Sequence, residues 1–209
     1  KEIDYLYGLG YRALAFPDDI FILNRKRTEI IAARLKELGI KWRCLIRGDL
    51  AVKYGQEFIH MMAVSGCVDV GMGMESASEK ILLSVNKGET VETLREAIRM
   101  LREEGIRVKG YFILGLPGES KKTLAETESF LSQMRLDDVD IKIYQPYPGS
   151  PIYANKEKLD IDWHDVELEK QFYKGRIGEY YGNVRTAALS NAEIVQAMTD
   201  MEAKYKRAG

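Results

Sequence analysis

The chain of 209 residues carries 31 Lys and Arg against 32 Asp and Glu, a formal net charge of −1. Charges so nearly balanced give no broad field for nucleic acid or an acidic membrane surface, which leaves a small-molecule or specifically docked substrate as the expected partner. No apolar stretch approaches the roughly 20 residues that span a bilayer and no signal-peptide pattern opens the chain, so a single cytoplasmic domain with a sizeable core is expected.

From the start to about residue 150, strand-like runs alternate with amphipathic helices, the pattern of a parallel sheet joined by crossovers. YRALAF (11–16) is the first strand, and Asn24 caps a helix to Leu38 that Gly39 stops. IKWRCLIR (40–47) is the second strand and QEFIHMMAVSG (56–66) a helix. Strand CVDVGMGM (67–74), helix SEKILLSV (78–85) and a longer helix from about 89 to 104 follow. IRVKGYFIL (106–114) is the fourth strand, 120–134 the next helix, and VDIKIYQPY (139–147) the fifth strand. The prolines at 146, 148 and 151 lack the ladder donor, so the sheet cannot continue there. Beyond it the segment KEKLDIDWHDVELEKQFY is charged and aromatic, and Ser190 with Glu193 predicts a capping box opening a last helix to about Lys206. Five βα-type units fall short of the eight of a closed barrel of about 250 residues. The expected fold is α/β: a partial TIM-like barrel over 1–153, followed by a helical extension over 154–209.

Ligands of parallel βα folds collect at the carboxyl ends of the strands. Here those ends read Phe16-Pro17-Asp18-Asp19, Arg47-Gly48-Asp49, Met74-Glu75-Ser76, Leu114-Gly115-Leu116-Pro117-Gly118-Glu119-Ser120 and Tyr144-Gln145-Pro146. Asp18 and Asp19 suit either a ligand role or the capping of the next helix, and Arg47 is the candidate ion-pair partner of Glu75. Cys44 and Cys67 lie in different apolar segments with no second Cys at metal or redox spacing, and are expected to be ordinary buried thiols. His60 and His164 fall within helical segments, and Met61-Met62 reads as core.

Taken together the strand ends resemble those of the radical S-adenosylmethionine enzymes, most closely the branch whose members often carry an upstream cobalamin-binding domain. The resemblance runs from Ile3 to Tyr153. It is carried by FPDDIF, RGDL, GCVDVGMGMESAS, NKGETVETLREAIRMLREEGI, GYFILGLPGES and YQPYPGSPIY, in order and on the matching elements. It implies a partial (βα)6 barrel that binds S-adenosylmethionine and a [4Fe–4S] cluster, with cobalamin as a further implied cofactor and a reductant such as flavodoxin or ferredoxin. Reductive cleavage would yield a 5′-deoxyadenosyl radical. Pro17, Asp18 and Asp19 match the strand end that holds the methionine amino group, and Glu75 and Ser76 the one facing ribose or the methionyl carboxylate. Ile113, Leu114 and Gly115 match the strand lying along adenine. Tyr144, Gln145 and Pro146 match the last strand, and Arg47 a charged end facing the ligand. On this view a strand breaking at Gly115 leaves backbone groups free for a nucleobase edge, Gly118 lets the chain turn, and Glu119 and Ser120 favour the helix start by roughly 0.3–2 kcal/mol each.

One departure is plain. The family's Cys-x3-Cys-x2-Cys run is absent, and the first strand here matches the second of the family barrel. The expectation is that the cluster loop precedes Lys1 and that these 209 residues alone cannot generate the radical. The rivals are a non-catalytic partial barrel gripping a partner through Trp163, Phe172, Tyr173, Tyr180 and Tyr181, and an aldolase-like barrel. The latter finds no obvious Schiff-base lysine, since Lys109 and Lys142 lie within strands.

Overall fold

The computed structural model describes residues 1–163, 175–176 and 179–206, so His164, Phe172 and Tyr173 lie outside the described residues. The first elements are helix α1 (Glu2–Gly8), strand β1 (Ala13–Ala15), a 3₁₀ turn (Phe21–Leu23), α2 (Arg25–Leu38), β2 (Lys41–Ile46), α3 (Gly48–Tyr54) and α4 (Gln56–Val64). Then come β3 (Cys67–Glu75), α5 (Glu79–Ser84), α6 (Val91–Glu103), β4 (Arg107–Leu114), α7 (Lys121–Met134), β5 (Asp138–Ile143) and α8 (Pro151–Ala154). The tail holds β6 (Ile161–Trp163), β7 (Gly175–Arg176), β8 (Glu179–Tyr180), β9 (Val184–Thr186) and α9 (Asn191–Tyr205).

Strands β1 to β5 form one sheet in the order β1-β2-β3-β4-β5, with β1 parallel to β2 and β2 parallel to β3. Consecutive strands, each joined to the next through helix, are the topology of a TIM-like barrel with fewer than eight strands, as expected. The chain divides into two compact units, 1–73 with 92–110, and 74–91 with 111–209.

In the first unit β2 alternates buried and exposed positions, sending Trp42, Cys44 and Ile46 into the core. Trp42 lies 5.4 Å from the ring of Phe21, and its Nε1–H donates to the Ser65 carbonyl at 3.2 Å. The ends of α2 are those the sequence predicts: the Asn24 side chain accepts from the Arg27 N–H, and Gly39 closes the helix at φ 63°. Helix α3 is not anticipated, because RGDL reads as the end of a strand. Arg47 has the extended backbone of an N-cap, and the chain turns helical at once from Gly48.

In the second unit Phe112 and Phe130 pack at 6.4 Å, joining β4 to α7. Helix α9 begins with the expected capping box, Ser190 and Glu193 each bonding the other's backbone N–H. From α9, Glu202, 3% exposed, accepts the Ile141 N–H of β5 at 3.3 Å, so a carboxylate satisfies a donor of that strand. The tail also contains antiparallel pairs, β6 with β9 and β7 with β8, that local periodicity does not reveal. Among the described residues no helix is long and apolar enough to cross a membrane.

Candidate functional site

The strand ends of the first unit are ordinary in their electrostatics. Asp18 takes Arg27 at 2.8 Å, both side chains substantially exposed, which places it with the turn-forming alternative as much as with a ligand role. Pro17 and Asp19 are exposed, Asp19 in the turn before Phe21. Arg47 chelates Asp49 through two 3.0 Å bonds, and Asp49 Oδ1 also accepts the Leu50 N–H. Asp49, two residues along the chain, thus engages Arg47 locally.

Glu75 belongs to a tight cluster in the second unit. It ends β3 with φ 59°, a left-handed conformation uncommon for a side chain with a Cβ. Its carboxylate receives Lys87 Nζ at 2.9 Å, and Lys87 also stands 3.5 Å from Glu89. The Lys87 side chain is only 13% exposed and that of Glu89 fully buried, so one ammonium is held against two carboxylates away from bulk water. Ser76 is buried beside them, its Oγ 3.3 Å from Thr127 Oγ1, which also accepts the Ala77 N–H at 3.1 Å. Lys87 and Glu89 escape sequence inspection because they sit in the polar linker NKGE. The signal that finds them is burial.

The end of β4 separates its residues by face. Strand alternation buries Leu114 with Phe112 and leaves Ile113 half-buried on the other face, so of the two only Ile113 can offer a side chain to a ligand. Gly115 turns at φ 82°, but its N–H is not free for a nucleobase: it donates to the Glu119 carboxylate. Glu119 is no first-turn helix acid. Ser120 is the N-cap of α7, with Thr123 completing the box, so Glu119 precedes the helix and folds back into the protein, fully buried. Desolvation pushes its carboxyl up to about 7, against the opposing bonds from Gly115 and Leu116. Its Oε1 is buried without a hydrogen-bond partner. Helix α5 holds the rest of the loop, Lys80 Nζ donating to the Gly118 carbonyl at 2.7 Å and Ser84 Oγ to the Pro117 carbonyl at 3.0 Å.

Past the end of β5 the Tyr144 N–H donates to the Leu114 carbonyl at 2.7 Å, which brings the ends of β4 and β5 together. Burial pushes the Tyr144 hydroxyl up, with Ser150 as its polar neighbour; Gln145 is half-buried and Pro146 buried. The second unit contains Glu75, Ser76, Ile113, Gly115 and Tyr144, and with them Lys87, Glu89, Glu119 and Thr127. The two cysteines, both buried and free, lie on β2 and β3. The Cys67 thiol beside it and its own burial push the Cys44 thiol up.

Residues 1–131 match the profile of the Radical SAM superfamily. An uncharacterized methyltransferase of Pyrococcus horikoshii is 31% identical over 170 residues, 78% of this chain and 36% of that protein. An anaerobic magnesium-protoporphyrin IX monomethyl ester cyclase of Cereibacter sphaeroides is 34% identical over 161 residues, 74% of this chain and 26% of that one. The chain therefore spans little more than a third of these relatives at most. Among solved structures, the radical S-adenosylmethionine methyltransferase TsrM of Kitasatospora setae, with cobalamin and a [4Fe–4S] cluster bound, matches with a TM-score of 0.73 at 16% identity, over 96% of this chain and 45% of that one. A likeness at that identity is a likeness of fold.

Proposed function

Because this chain belongs to the radical SAM superfamily, we propose that its second unit forms the S-adenosylmethionine-binding wall of an enzyme that transfers or joins carbon groups, a methyltransferase in the first instance. The observation that carries this is the buried ammonium of Lys87, held by Glu75 at 2.9 Å at the very end of β3. An ammonium and a carboxylate drawn together at a strand end, largely out of water, form a polar contact point of the kind that binds the charged groups of a ligand. Lys87 would hold the methionyl carboxylate, Glu75 would orient Lys87 and accept from a ribose hydroxyl, and Ile113 would cover a face of the base. The backbone at Gly115 and Tyr144 would border the adenine edge, with Glu119 fixing the first of these. When bound, S-adenosylmethionine supplies the methyl and adenosyl groups on which such chemistry draws.

The cluster does not fit the residues described. Neither cysteine belongs to a three-thiolate run, and the raised Cys44 thiol is shifted in the direction that opposes thiolate ligation. Among the described residues no group of three or more His, Cys, Asp and Glu is placed to hold a metal. These 209 residues, reconstituted with iron and sulfide, are expected to show no cluster absorbance and no cleavage of S-adenosylmethionine. The relatives named above support the methyltransferase reading over a scaffolding role. Calorimetry with S-adenosylhomocysteine tests it: the native full-length protein should bind one equivalent, and Lys87→Ala should weaken binding at least about tenfold. Absence of binding to the native protein would reject the proposal.

A further inference from the structure

We propose that Thr186 is a positioning residue for the strand-end loop Gly115–Glu119, and that β9 is a strap setting the wall of the site through it; this rests on the assignment of that loop to S-adenosylmethionine. The hydroxyl of Thr186, 6% exposed, donates to the Glu119 carbonyl at 2.8 Å. The same oxygen accepts the N–H of Ala188 at 3.3 Å and of Leu189 at 3.1 Å, while the Thr186 N–H donates to the Leu189 carbonyl at 2.9 Å. A threonine hydroxyl has one proton and two lone pairs, and all three are engaged. Its proton is committed to the loop and its lone pairs to the tight turn that leads into α9.

The effect continues inward. Fixing the main chain of Glu119 fixes the origin of its side chain, whose carboxylate holds the Gly115 N–H at the end of β4. Val184, two residues before Thr186 on β9, is fully buried, and its Cγ2 lies 2.7 Å from the point a Cβ on Gly115 would occupy. Its methyl therefore rests directly on the glycine backbone, and Ile194 of α9 stands 3.5 Å from the same point. The Asn191 side chain of α9 donates to the Val184 carbonyl at 3.1 Å, tying β9 to α9, and Lys121 at the start of α7 pairs with Glu193 at 2.9 Å, tying α9 to the helix that follows the loop. Two independent contacts from β9, one polar and one apolar, thus converge on a five-residue loop whose placement defines the proposed nucleobase edge. A segment with no residue of its own in the ligand's path would in this way set the ligand's affinity.

The test separates positioning from bulk stability. Thr186→Val keeps the shape and removes the donor; Thr186→Ser restores the hydroxyl. In the native full-length protein, the Val variant should speed amide exchange at Gly115 about tenfold and weaken S-adenosylhomocysteine binding about fivefold to tenfold, and the Ser variant should return both close to native. A folded Val variant with native exchange at Gly115 and native affinity overturns the proposal. If the Val variant does not fold, Val184→Ala decides: faster Gly115 exchange with weaker binding supports the strap, and native values for both overturn it. If the native protein fails to bind S-adenosylhomocysteine while Gly115 exchange responds to Thr186→Val, the ligand assignment falls and the strap stands.

Discussion

The strand ends of the two units use similar residues under opposite conditions. In the first unit Asp18 and Arg27 pair with 37% and 46% of their side chains exposed, and Arg47 finds Asp49 two positions along the chain. In the second, Lys87 meets Glu75 across twelve residues and Glu89 two positions along, largely out of water, and Glu119 is buried altogether. Exposed pairs gain little because water and salt screen them, whereas a charge removed from water makes its partner obligatory. The lesson is that acidic and basic residues at strand ends are not equivalent evidence. Those the fold has dehydrated have a structural price attached to their presence, and they are where chemistry is to be sought.

Four substitutions sharpen that contrast. Lys87→Met leaves the buried Glu89 and the half-buried Glu75 without that ammonium and should destabilise the protein by about 4 kcal/mol in urea unfolding; a loss below about 1 kcal/mol would mean the cluster is effectively solvated. Gly115→Ala places a methyl against Val184 at 2.7 Å with φ at 82°, and should cost about 3 kcal/mol in the same assay.

Glu119 makes the comparison depend on pH. Its carboxyl is raised to about 7 in the folded protein from an ordinary value of 4.5, so the folded state holds the proton more tightly than the unfolded chain. Stability from this group is therefore greatest below about pH 4.5, falls as pH rises towards 7, and is flat above, a total of roughly 3 kcal/mol. Glu119→Gln keeps an acceptor for the Gly115 N–H but cannot ionise. Between pH 5 and pH 8 the variant should gain about 2 to 3 kcal/mol relative to the native protein; parallel pH profiles would contradict the burial argument. The smallest effect is on the exposed side: Asp18→Asn should change stability by less than about 0.5 kcal/mol, and little more at low salt.

The sequence discloses what is decided within a few residues. Asn24, Gly39 and the Ser190–Glu193 box are cap signals, read by the backbone three or four positions away, and the structure uses them where they predict helix ends. The five strands and their order follow from alternation of apolar runs with helices, and the places of Glu75, Gly115 and Tyr144 at or just past strand ends follow from the bounds of those runs. What is hidden depends on partners distant in sequence. Glu119 looks like a helix-start acid until Ser120 takes the cap and turns it inward. Lys87 looks like a solvated linker residue until Glu75 claims it, and Thr186 carries no sign that its hydroxyl reaches back to residue 119. The pairing of β6 with β9 fails for the same reason, since three-residue strands about twenty positions apart leave no periodicity to detect.

The central claim is that a dehydrated cation at the end of β3 anchors S-adenosylmethionine. Titrating S-adenosylhomocysteine calorimetrically into the native full-length protein and its folded Lys87→Ala variant tests this most directly. The account predicts saturable one-to-one binding by the native protein and at least about a tenfold loss in the variant. Equal affinity in the two, or no heat from either, would contradict it.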